Sequence, residues 1–244
     1  MKGMILAAGL GTRLRPLTDK IPKALVKIGT TTLLEYAIKK LLHYGFNDII
    51  INIHHLPDLI IRYLADNKNF GASVTISDER EILLDTGGAL KKASEFLKGN
   101  EPFLVYNCDI VTDLNLSQLF EYHLKQGGLC TLAVRQRETS RYFLFDNDNN
   151  LCGWWNKKTN ERKLAVKSGK SLNNYAFSGI NVINPEALNL FPDNNVFSLV
   201  DFYLKIASDN SIKGFDHSQT SWSDIGSPVE LDKMQTRGQL LKYI

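Results

Sequence analysis

The sequence predicts an α/β protein with a Rossmann-like, three-layer αβα fold and a mixed, mostly parallel central sheet. Three observations support this class. Apolar strand-like segments alternate with amphipathic helix-like segments through the first half of the chain, as in parallel sheets covered by helices. A glycine-bearing loop directly follows the first of these strands. The length of 244 residues, with 43% hydrophobic and 23% charged content, suits one globular domain of this kind.

Each element is predicted from its spacing and its end signals. The first helix has apolar residues at helical spacing and Gly45 as its stop signal. In the first half we expect strands at 3–8, 48–53, 73–77 and 103–107, and helices at 32–44, 56–67 and 87–97. In the second half we expect strands at 130–135, 142–146, 151–155 and 175–183, a short helix after Pro185, and helices at 197–207 and 228–240. No repeat or linker divides the chain, so residues 1–244 are taken as one domain.

Charge, cysteine content and hydropathy exclude several classes of function. The net charge of +3 is small, and the basic residues are mostly scattered, so a nucleic-acid partner is not expected. Three cysteines without a Cys-x-x-Cys pair indicate neither a zinc site nor a disulfide framework. The apolar run Met4–Ala8 is too short for a signal peptide, and no stretch approaches membrane-spanning length. We therefore expect a cytoplasmic protein with reduced thiols and no membrane partner.

The loop after the first strand is the strongest functional signal. Gly9 and Gly11 let backbone N–H groups approach a phosphate chain. Three cations follow within a few residues and would neutralise that chain: Arg13, Arg15 and Lys23. The loop lacks the Gly-Lys-Ser/Thr of a P-loop, and Leu14 stands where a dinucleotide fold needs a third glycine. The loop is thus either a polyphosphate cradle of another kind or a tight turn with incidental arginines.

The residues from Gly9 to Thr18, followed by those from Pro22 to Leu25, resemble the sugar-1-phosphate nucleotidyltransferases of the NTP transferase superfamily. The family signature is Gly-x-Gly-Thr-Arg-x-x-Pro-Leu-Thr followed by Pro-Lys-x-Leu. Further similar segments extend almost to the end of the chain: Glu35, Thr86–Gly88, Asn107–Asp109, Phe177–Ile180 and Trp222–Gly226. Among the branches of the family, the N-acetylmuramic acid 1-phosphate uridylyltransferases are most similar, and the mannose-1-phosphate guanylyltransferases come next.

This resemblance implies the nucleotide-diphospho-sugar transferase type of fold and an enzyme that uses Mg²⁺. The reaction would join an NTP, with UTP or GTP favoured, to a sugar 1-phosphate, and would release pyrophosphate. Residues 1–128 would form the nucleotide-binding half and residues 129–244 the sugar-phosphate-binding half.

Individual positions match the functional positions of the family. The resemblance implies catalytic roles for Arg13 and Lys23, and Mg²⁺ ligation by Asp109 and Asp224. The nucleotide would be bound by Ala7, Ala8, Gly9, Gly11, Thr12, Arg13, Lys23, Asp85, Thr86, Gly87, Gly88 and Asn107. The sugar phosphate would be bound by Trp155, Lys157, Ser178, Gly179 and Asn181.

Two positions depart from the family pattern. Cys108 stands where many relatives have glycine before the aspartate. Larger relatives carry a Glu-Lys pair near the sugar phosphate, and Lys157 would have to substitute for its lysine. A solvated lysine in a polar loop is the simpler interpretation of Lys157.

Other functions remain open at this stage. The sequence indicates less about the acceptor pocket than about the nucleotide site, so a phosphocholine cytidylyltransferase is an alternative. A nucleotide-sensing module without chemistry is another, although it would not need both Asp109 and Asp224. A dinucleotide-dependent dehydrogenase is disfavoured because the second strand has no acidic residue at its tip. A homodimer is compatible with all of these.

Overall fold

The structure is a computed structural model, and it describes residues 1–166 and 171–236. Its strands are β1 (Lys2–Leu6), β2 (Lys27–Ile28), β3 (Thr31–Thr32), β4 (Asp48–Ile53), β5 (Ser73–Asp78), β6 (Phe103–Asn107), β7 (Ile110–Thr112), β8 (Cys130–Arg135), β9 (Arg141–Phe145), β10 (Leu151–Asn156), β11 (Glu161–Leu164), β12 (Asn173–Ile183), β13 (Ile212–Asp216) and β14 (Trp222–Asp224). Its α-helices are α1 (Leu33–His43), α2 (Pro57–Asp66), α3 (Asp85–Lys92), α4 (Ser94–Leu97), α5 (Leu116–Gln126), α6 (Leu199–Ile206) and α7 (Pro228–Thr236).

The chain divides into two compact units that interleave along the sequence. Unit 1 comprises Met1–Leu84, Val105–Asp113 and the described residues from Trp222 onward. Unit 2 comprises Asp85–Leu104 and Leu114–Ser221. The predicted halves, 1–128 and 129–244, concern which ligand each part binds, and that division stays a prediction.

Unit 1 is built on the strand order β6-β1-β4-β5. β1 and β4 are parallel, with Lys2 opposite Asp48, and β4 is parallel to β5. Isoleucines fill four of the five buried positions of β4, as expected for a strand covered on both faces. Cys108 N–H donates to Leu6 O at 3.0 Å, so the ends of β6 and β1 adjoin. Ligands of such sheets lie beyond the carboxyl ends of the strands, which places the glycine loop at that edge.

The helices of unit 1 begin at ordinary start signals. Thr32 caps α1, because its hydroxyl accepts the backbone N–H of Glu35 at 3.0 Å. α2 begins at Pro57, where a missing N–H costs nothing. Both helices therefore start within one residue of their predicted bounds.

Unit 2 is mainly antiparallel. β12 pairs antiparallel with β8 and β9, β9 pairs with β10, and β10 pairs with β11. β13 adds one parallel pair at β8. The β12–β8 register shifts between Phe177 and Asn181, which marks a bulge. Parallel strands in unit 1 and mixed pairing in unit 2 confirm the predicted α/β class with a mixed sheet.

Several boundaries differ from the sequence prediction for physical reasons. The helix expected at 87–97 is two helices, α3 and α4, separated at Ala93. β7 and β14 were not predicted, because three-residue strands paired with a distant segment have no readable period. The predicted helix at 228–240 is confirmed to Thr236, and its remainder lies outside the described residues.

Cys108, Cys130 and Cys152 are all buried and free. Within residues 1–166 and 171–236, no helix is both long enough and apolar enough to cross a membrane.

The buried Lys40 of α1 gives a test of the packing of unit 1. Lys40 is 1% exposed, and its Nζ lies 5.1 Å from the centroid of the Tyr44 ring. Burial lowers the pKa of Lys40 to about 8, against the opposing attraction of Asp113. Replacing Lys40 with methionine should therefore raise the free energy of unfolding at pH 7 by about 1–3 kcal/mol, as measured by urea denaturation.

The sign of the pH dependence follows from the lowered pKa of Lys40. Below pH 8 both states carry the proton, so the native state bears the whole cost of the buried charge. Between pH 8 and the ordinary value of 10.5, the native state releases a proton that the unfolded state keeps, and stability rises with pH. The gain in free energy of unfolding from Lys40→Met should therefore decrease as the pH rises from 8 to 10.5. Lys39→Met is the control, because Lys39 is partly exposed and paired with Glu35, and an equal gain there would contradict the assignment.

Candidate functional site

The glycine loop after β1 has a defined backbone conformation. Gly11 has φ +64 and accepts two hydrogen bonds at its carbonyl, from Leu14 N–H and from the Thr18 hydroxyl, both at 2.8 Å. A Cβ at Gly11 would lie 2.8 Å from Thr18 Cγ2 and 3.1 Å from Lys23 Cβ. A Cβ at Gly9 would meet nothing within 4 Å. Gly11 is thus required by the fold of the loop, whereas Gly9 leaves open space beside the backbone.

The two glycines therefore give opposite predictions. Gly11→Ala should lower the free energy of unfolding by about 1–3 kcal/mol, through its left-handed backbone and the contact with Thr18. Gly9→Ala should leave stability unchanged within about 0.5 kcal/mol, yet weaken nucleotide binding if the phosphates occupy the open space. Thermal unfolding and nucleotide titration of both variants check this. Wild-type nucleotide affinity in Gly9→Ala would contradict a phosphate contact at that residue.

A buried hydrogen-bond chain supports the start of the loop. Ala7 N–H donates to Asn52 Oδ1 at 2.8 Å, and Asn52 Nδ2 donates to Glu79 Oε1 at 2.9 Å. Asn52 and Glu79 are 3% and 1% exposed. The N–H of Ala7 is therefore bound by the protein, and Ala7 contributes as a fixed part of the loop. Sequence reasoning missed this chain, although an asparagine within the apolar strand β4 was the available signal.

A histidine supports the other end of the loop. His55 Nε2 lies 2.8 Å from Thr18 O, so this nitrogen carries the donated proton. Thr18 is 1% exposed and itself bonds Gly11. His54 Nδ1 likewise donates to Glu79 O at 2.6 Å. Both histidines thus have structural roles.

Lys23 and Asp109 form an ion pair in unit 1. Lys23 Nζ contacts Asp109 Oδ2, and the two side chains are 13% and 23% exposed. Lys23 opens a short 3₁₀ turn after Pro22, whereas Asp109 sits in the turn between β6 and β7. Tyr106 Oη fixes that turn by donating to Ile110 O at 2.9 Å. Two residues that are 86 positions apart in the sequence therefore form one ion pair.

Asp224 joins the same group through β14. It lies opposite Ile110 in the β7–β14 ladder, and Ile225 N–H donates to Asp109 O at 2.9 Å. A Cβ at Gly226 would lie 2.4 Å from Arg13 Nη2 and 2.7 Å from Asp224 Oδ1. The Arg13 guanidinium and the Asp224 carboxylate therefore border one small space. The structure brings together the four residues implied for catalysis and metal ligation, Arg13, Lys23, Asp109 and Asp224.

Within the Asn107–Asp109 segment, Asn107 is partly exposed and Cys108 is buried in the core. Asn107, the last residue of β6, is half-buried. Cys108 is 4% exposed, and burial raises the pKa of its thiol, so the thiol is neutral. The departure from glycine at this position places a methylene and a sulfur in the core.

The remaining predicted nucleotide contacts, Asp85 to Gly88, lie in unit 2. Thr86 N–H donates to Asp85 Oδ1 at 2.6 Å, and the N–H groups of Gly87 and Gly88 donate to Phe197 O at 2.9 and 3.2 Å. A Cβ at Gly87 would lie 2.3 Å from the Phe197 ring. These N–H groups already have partners, so Gly87 is explained by close packing. A nucleotide contact here stays a prediction.

Trp155 and Lys157, predicted for the sugar phosphate, also have partners in unit 2. Trp155 stacks on Tyr142 with ring centroids 5.7 Å apart, and the Arg162 guanidinium lies 5.0 Å from its ring. Lys157 Nζ lies 3.3 Å from Glu138 Oε2 in an exposed ion pair. The exposed position of Lys157 agrees with the interpretation of a solvated surface lysine. A role of Lys157 in binding the sugar phosphate stays a prediction.

Ser178, Gly179 and Asn181 lie together at the β12 bulge. Gly179 has φ +76, which favours glycine, and Ser178 and Asn181 are 0% and 1% exposed. The Ser178 hydroxyl lies 2.6 Å from His217 Nε2. Sequence reasoning missed His217, because nothing local links it to a strand 39 residues away.

Comparison with known proteins decides the family. A sequence model of the nucleotidyl transferase family matches residues 2–237. The chain belongs to the nucleotidyl transferase family. This confirms the resemblance read from Gly9–Thr18 and Pro22–Leu25.

Relatives and solved structures extend the family comparison. Mannose-1-phosphate guanyltransferase 2 of Candida glabrata is 32% identical over 94% of this chain and 62% of its own length. The chain thus spans less than two thirds of the curated relatives that it matches. HddC of Yersinia pseudotuberculosis is 26% identical with a TM-score of 0.75, covering 98% of this chain and 99% of its own. UDP-glucose pyrophosphorylase of Acinetobacter baumannii, 18% identical, has a TM-score of 0.78 over 98% and 93% of the two chains, so the fold is shared.

The donor set of this family member limits the metals that fit. Among the described residues, no group of three or more His, Cys, Asp or Glu side chains could hold a metal ion. Asp109, in the turn before β7, and Asp224, on the adjoining strand β14, offer two carboxylates. Mg²⁺ commonly takes one or two protein carboxylates and completes its shell with phosphate oxygens and water. The residues present fit that ion and do not form an all-protein cage.

Proposed function

We propose that this chain transfers a nucleotidyl group from an NTP to a sugar 1-phosphate and releases pyrophosphate. The convergence of Arg13, Lys23, Asp109 and Asp224 beside the glycine loop carries the proposal. A phosphate oxygen of the acceptor attacks the α-phosphorus, and a new P–O bond forms. The bond from the α-phosphorus to the oxygen bridging the β-phosphate breaks, and that oxygen leaves with pyrophosphate. The attacking phosphate is already an anion, so no general base is needed.

Each residue of the group then has a distinct task. The open backbone at Gly9 and the guanidinium of Arg13 hold the β- and γ-phosphates. Lys23 exchanges its contact with Asp109 for the α-phosphate, where charge accumulates in the transition state. Asp109 and Asp224 would hold Mg²⁺, which neutralises phosphate charge when bound. Catalysis is positioning together with charge stabilisation.

For the donor and the acceptor, we favour GTP and a hexose 1-phosphate such as mannose 1-phosphate. Support comes from the curated relatives, whose names specify mannose-1-phosphate guanyl transfer. They favour this branch over the N-acetylmuramic acid 1-phosphate uridylyltransferases that the sequence motifs place first. The segments Asp85–Gly88 and Phe177–Ile180 favoured the uridylyl branch, so UTP with N-acetylmuramic acid 1-phosphate is the second candidate.

A matrix of substrates tests the proposal. Pyrophosphate release is measured for GTP, UTP, CTP and ATP, each with mannose 1-phosphate, glucose 1-phosphate, N-acetylmuramic acid 1-phosphate or phosphocholine. We expect the highest kcat/KM for GTP with mannose 1-phosphate. A maximum with UTP and N-acetylmuramic acid 1-phosphate would replace the substrates but keep the reaction. No release with any pair, while an NTP still binds, would overturn the reaction in favour of a sensing module.

A further inference from the structure

Glu79 is a buried acidic residue of unit 1 that directly follows β5, and it is 1% exposed. Its carboxyl group accepts two hydrogen bonds, from Asn52 Nδ2 at 2.9 Å and from Leu84 N–H at 3.4 Å. Its backbone carbonyl accepts two more, from His54 Nδ1 at 2.6 Å and from Ile82 N–H at 3.1 Å. Burying a carboxyl group costs free energy unless hydrogen bonds offset the cost, so these contacts are what allow Glu79 to be buried.

The direction of each hydrogen bond between Ala7 and Glu79 is fixed. The N–H of Ala7 is a donor, so the Asn52 atom that lies 2.8 Å from it is the amide oxygen. The amide nitrogen of Asn52 then faces Glu79 and needs an acceptor there. The N–H of Leu84 needs an acceptor at the same side chain. A carboxyl group offers one oxygen to each donor, whereas a glutamine at position 79 would offer a single oxygen.

The two oxygens of Glu79 support the two segments that the family resemblance implies for the nucleotide. Through Asn52, one oxygen fixes Ala7 at the start of the glycine loop. The other oxygen fixes Leu84, which is 6% exposed and directly precedes Asp85. Asp85 has φ +59, in the left-handed region that few residues other than glycine adopt readily. One buried side chain of unit 1 therefore holds the residues that lead into both segments.

We propose that Glu79 is a positioning residue for the NTP: it orients the Asn52 amide, which holds the glycine loop in the conformation that receives the phosphates. The inference rests on the proposed function and deepens it, since neither side chain would touch the substrate. A loop that is ordered before binding avoids the entropic cost of becoming ordered when the ligand arrives. The Asn52–Glu79 pair therefore acts on the affinity for the NTP and not on the affinity for the acceptor.

Glu79→Gln and Asn52→Asp each disturb the order of donors and acceptors without changing the size of the side chain. In Glu79→Gln, two donors must face each other at one point between Ala7 and Leu84. In Asn52→Asp, two carboxyl groups face each other. We expect each variant to weaken the binding of GTP and of UTP about tenfold, as measured by titration calorimetry with Mg²⁺ present. The KM of the NTP should rise by the same factor, with the KM of the sugar phosphate unchanged.

The double variant, Asn52→Asp with Glu79→Gln, restores the hydrogen bonds with one of them reversed. The carboxylate now at position 52 accepts from Ala7 N–H and from the amide nitrogen at position 79. The amide oxygen at position 79 accepts from Leu84 N–H. The net charge equals that of the wild type. We expect the double variant to bind both nucleotides within about threefold of wild type, because the two substitutions compensate each other.

Asp78→Asn is the matched control. Asp78 is the last residue of β5, and its carboxylate bonds Arg80, with its side chain 33% exposed. The control removes the same charge one residue away and should bind both nucleotides as the wild type does. Equal weakening in Asp78→Asn and Glu79→Gln would overturn the role of Glu79 by assigning the effect to charge. A double variant that binds no better than the weaker single variant would also overturn it.

Thermal unfolding separates positioning from stability alone. A lower melting temperature in Glu79→Gln with wild-type nucleotide affinity would overturn the inference. If Glu79→Gln does not fold, Asn52→Ser takes its place with the same expectations, because a serine is too short to bond both Ala7 and Glu79.

Failure of this inference is distinguishable from failure of the proposed function. Wild-type protein that binds an NTP but releases no pyrophosphate with any pair would remove the proposed function. Active wild-type protein whose Asn52 and Glu79 variants keep the wild-type nucleotide affinity would remove only the inference.

Discussion

Replacing Lys23 with methionine is expected to lower turnover by about 10²–10³, the usual effect of removing one group that stabilises transition-state charge. Methionine keeps the length and packing of the stem and removes only the ammonium group. In the free protein that ammonium contacts Asp109, and both side chains are mostly buried. Pyrophosphate release under saturating NTP and acceptor, together with thermal unfolding, separates the loss of chemistry from the loss of fold.

Two controls sharpen the Lys23 experiment. Lys27→Met removes an exposed lysine of β2 in the same segment and should leave turnover within about threefold of wild type. Lys23→Arg keeps the charge in a planar group, and it should recover part of the rate. Near-normal turnover in Lys23→Met would refute the role of this lysine at the α-phosphate. Equal losses in Lys23→Met and Lys27→Met would assign the effect to net charge.

The charged group of unit 1 was predictable because its motifs are local. Glycines, cations and prolines stand at fixed short spacings between Gly9 and Lys23, and parallel strands place their carboxyl ends on one edge. Asp109 follows a strand whose bounds, 103–107, were predicted to the residue. The assignment of Asp224 to the site depended on the family resemblance. The β7–β14 ladder that brings Asp224 to Asp109 has only three residues on each strand, which is too short to be predicted from hydrophobic periodicity.

The supporting hydrogen bonds were not predictable, because each links distant positions through a side chain. Asn52 reaches Ala7 across 45 positions and Glu79 across 27. His217 reaches Ser178 across 39, and a single sequence gives no signal for such pairs. At the start of α3, a general expectation about helix ends does not hold. Free N–H groups are expected at a helix N-terminus, but the Phe197 carbonyl accepts those of Gly87 and Gly88.

Replacing Asp109 with asparagine is expected to remove the Mg²⁺ dependence that we propose for the wild-type protein and to lower turnover by about 10²–10³. Asparagine has the same shape, so the turn fixed by Tyr106 should persist. It has no charge, so it would hold neither Mg²⁺ nor the Lys23 ammonium as strongly. Titration of pyrophosphate release with Mg²⁺ measures the change. Asp58→Asn, at an exposed aspartate of α2, should titrate like wild type.

Combining the Asp109 and Lys23 substitutions tests whether the two residues act as a unit. If Lys23 leaves Asp109 for the α-phosphate as Asp109 takes Mg²⁺, each single variant disables the same charge arrangement. Lys23→Met with Asp109→Asn should then cost little more than the worse single variant, since residues that act together are strongly non-additive. Independent roles would instead multiply the two losses. An Mg²⁺ titration of Asp109→Asn that matches wild type would refute metal ligation by Asp109. The ion pair with Lys23 would then be the only function left to that carboxylate.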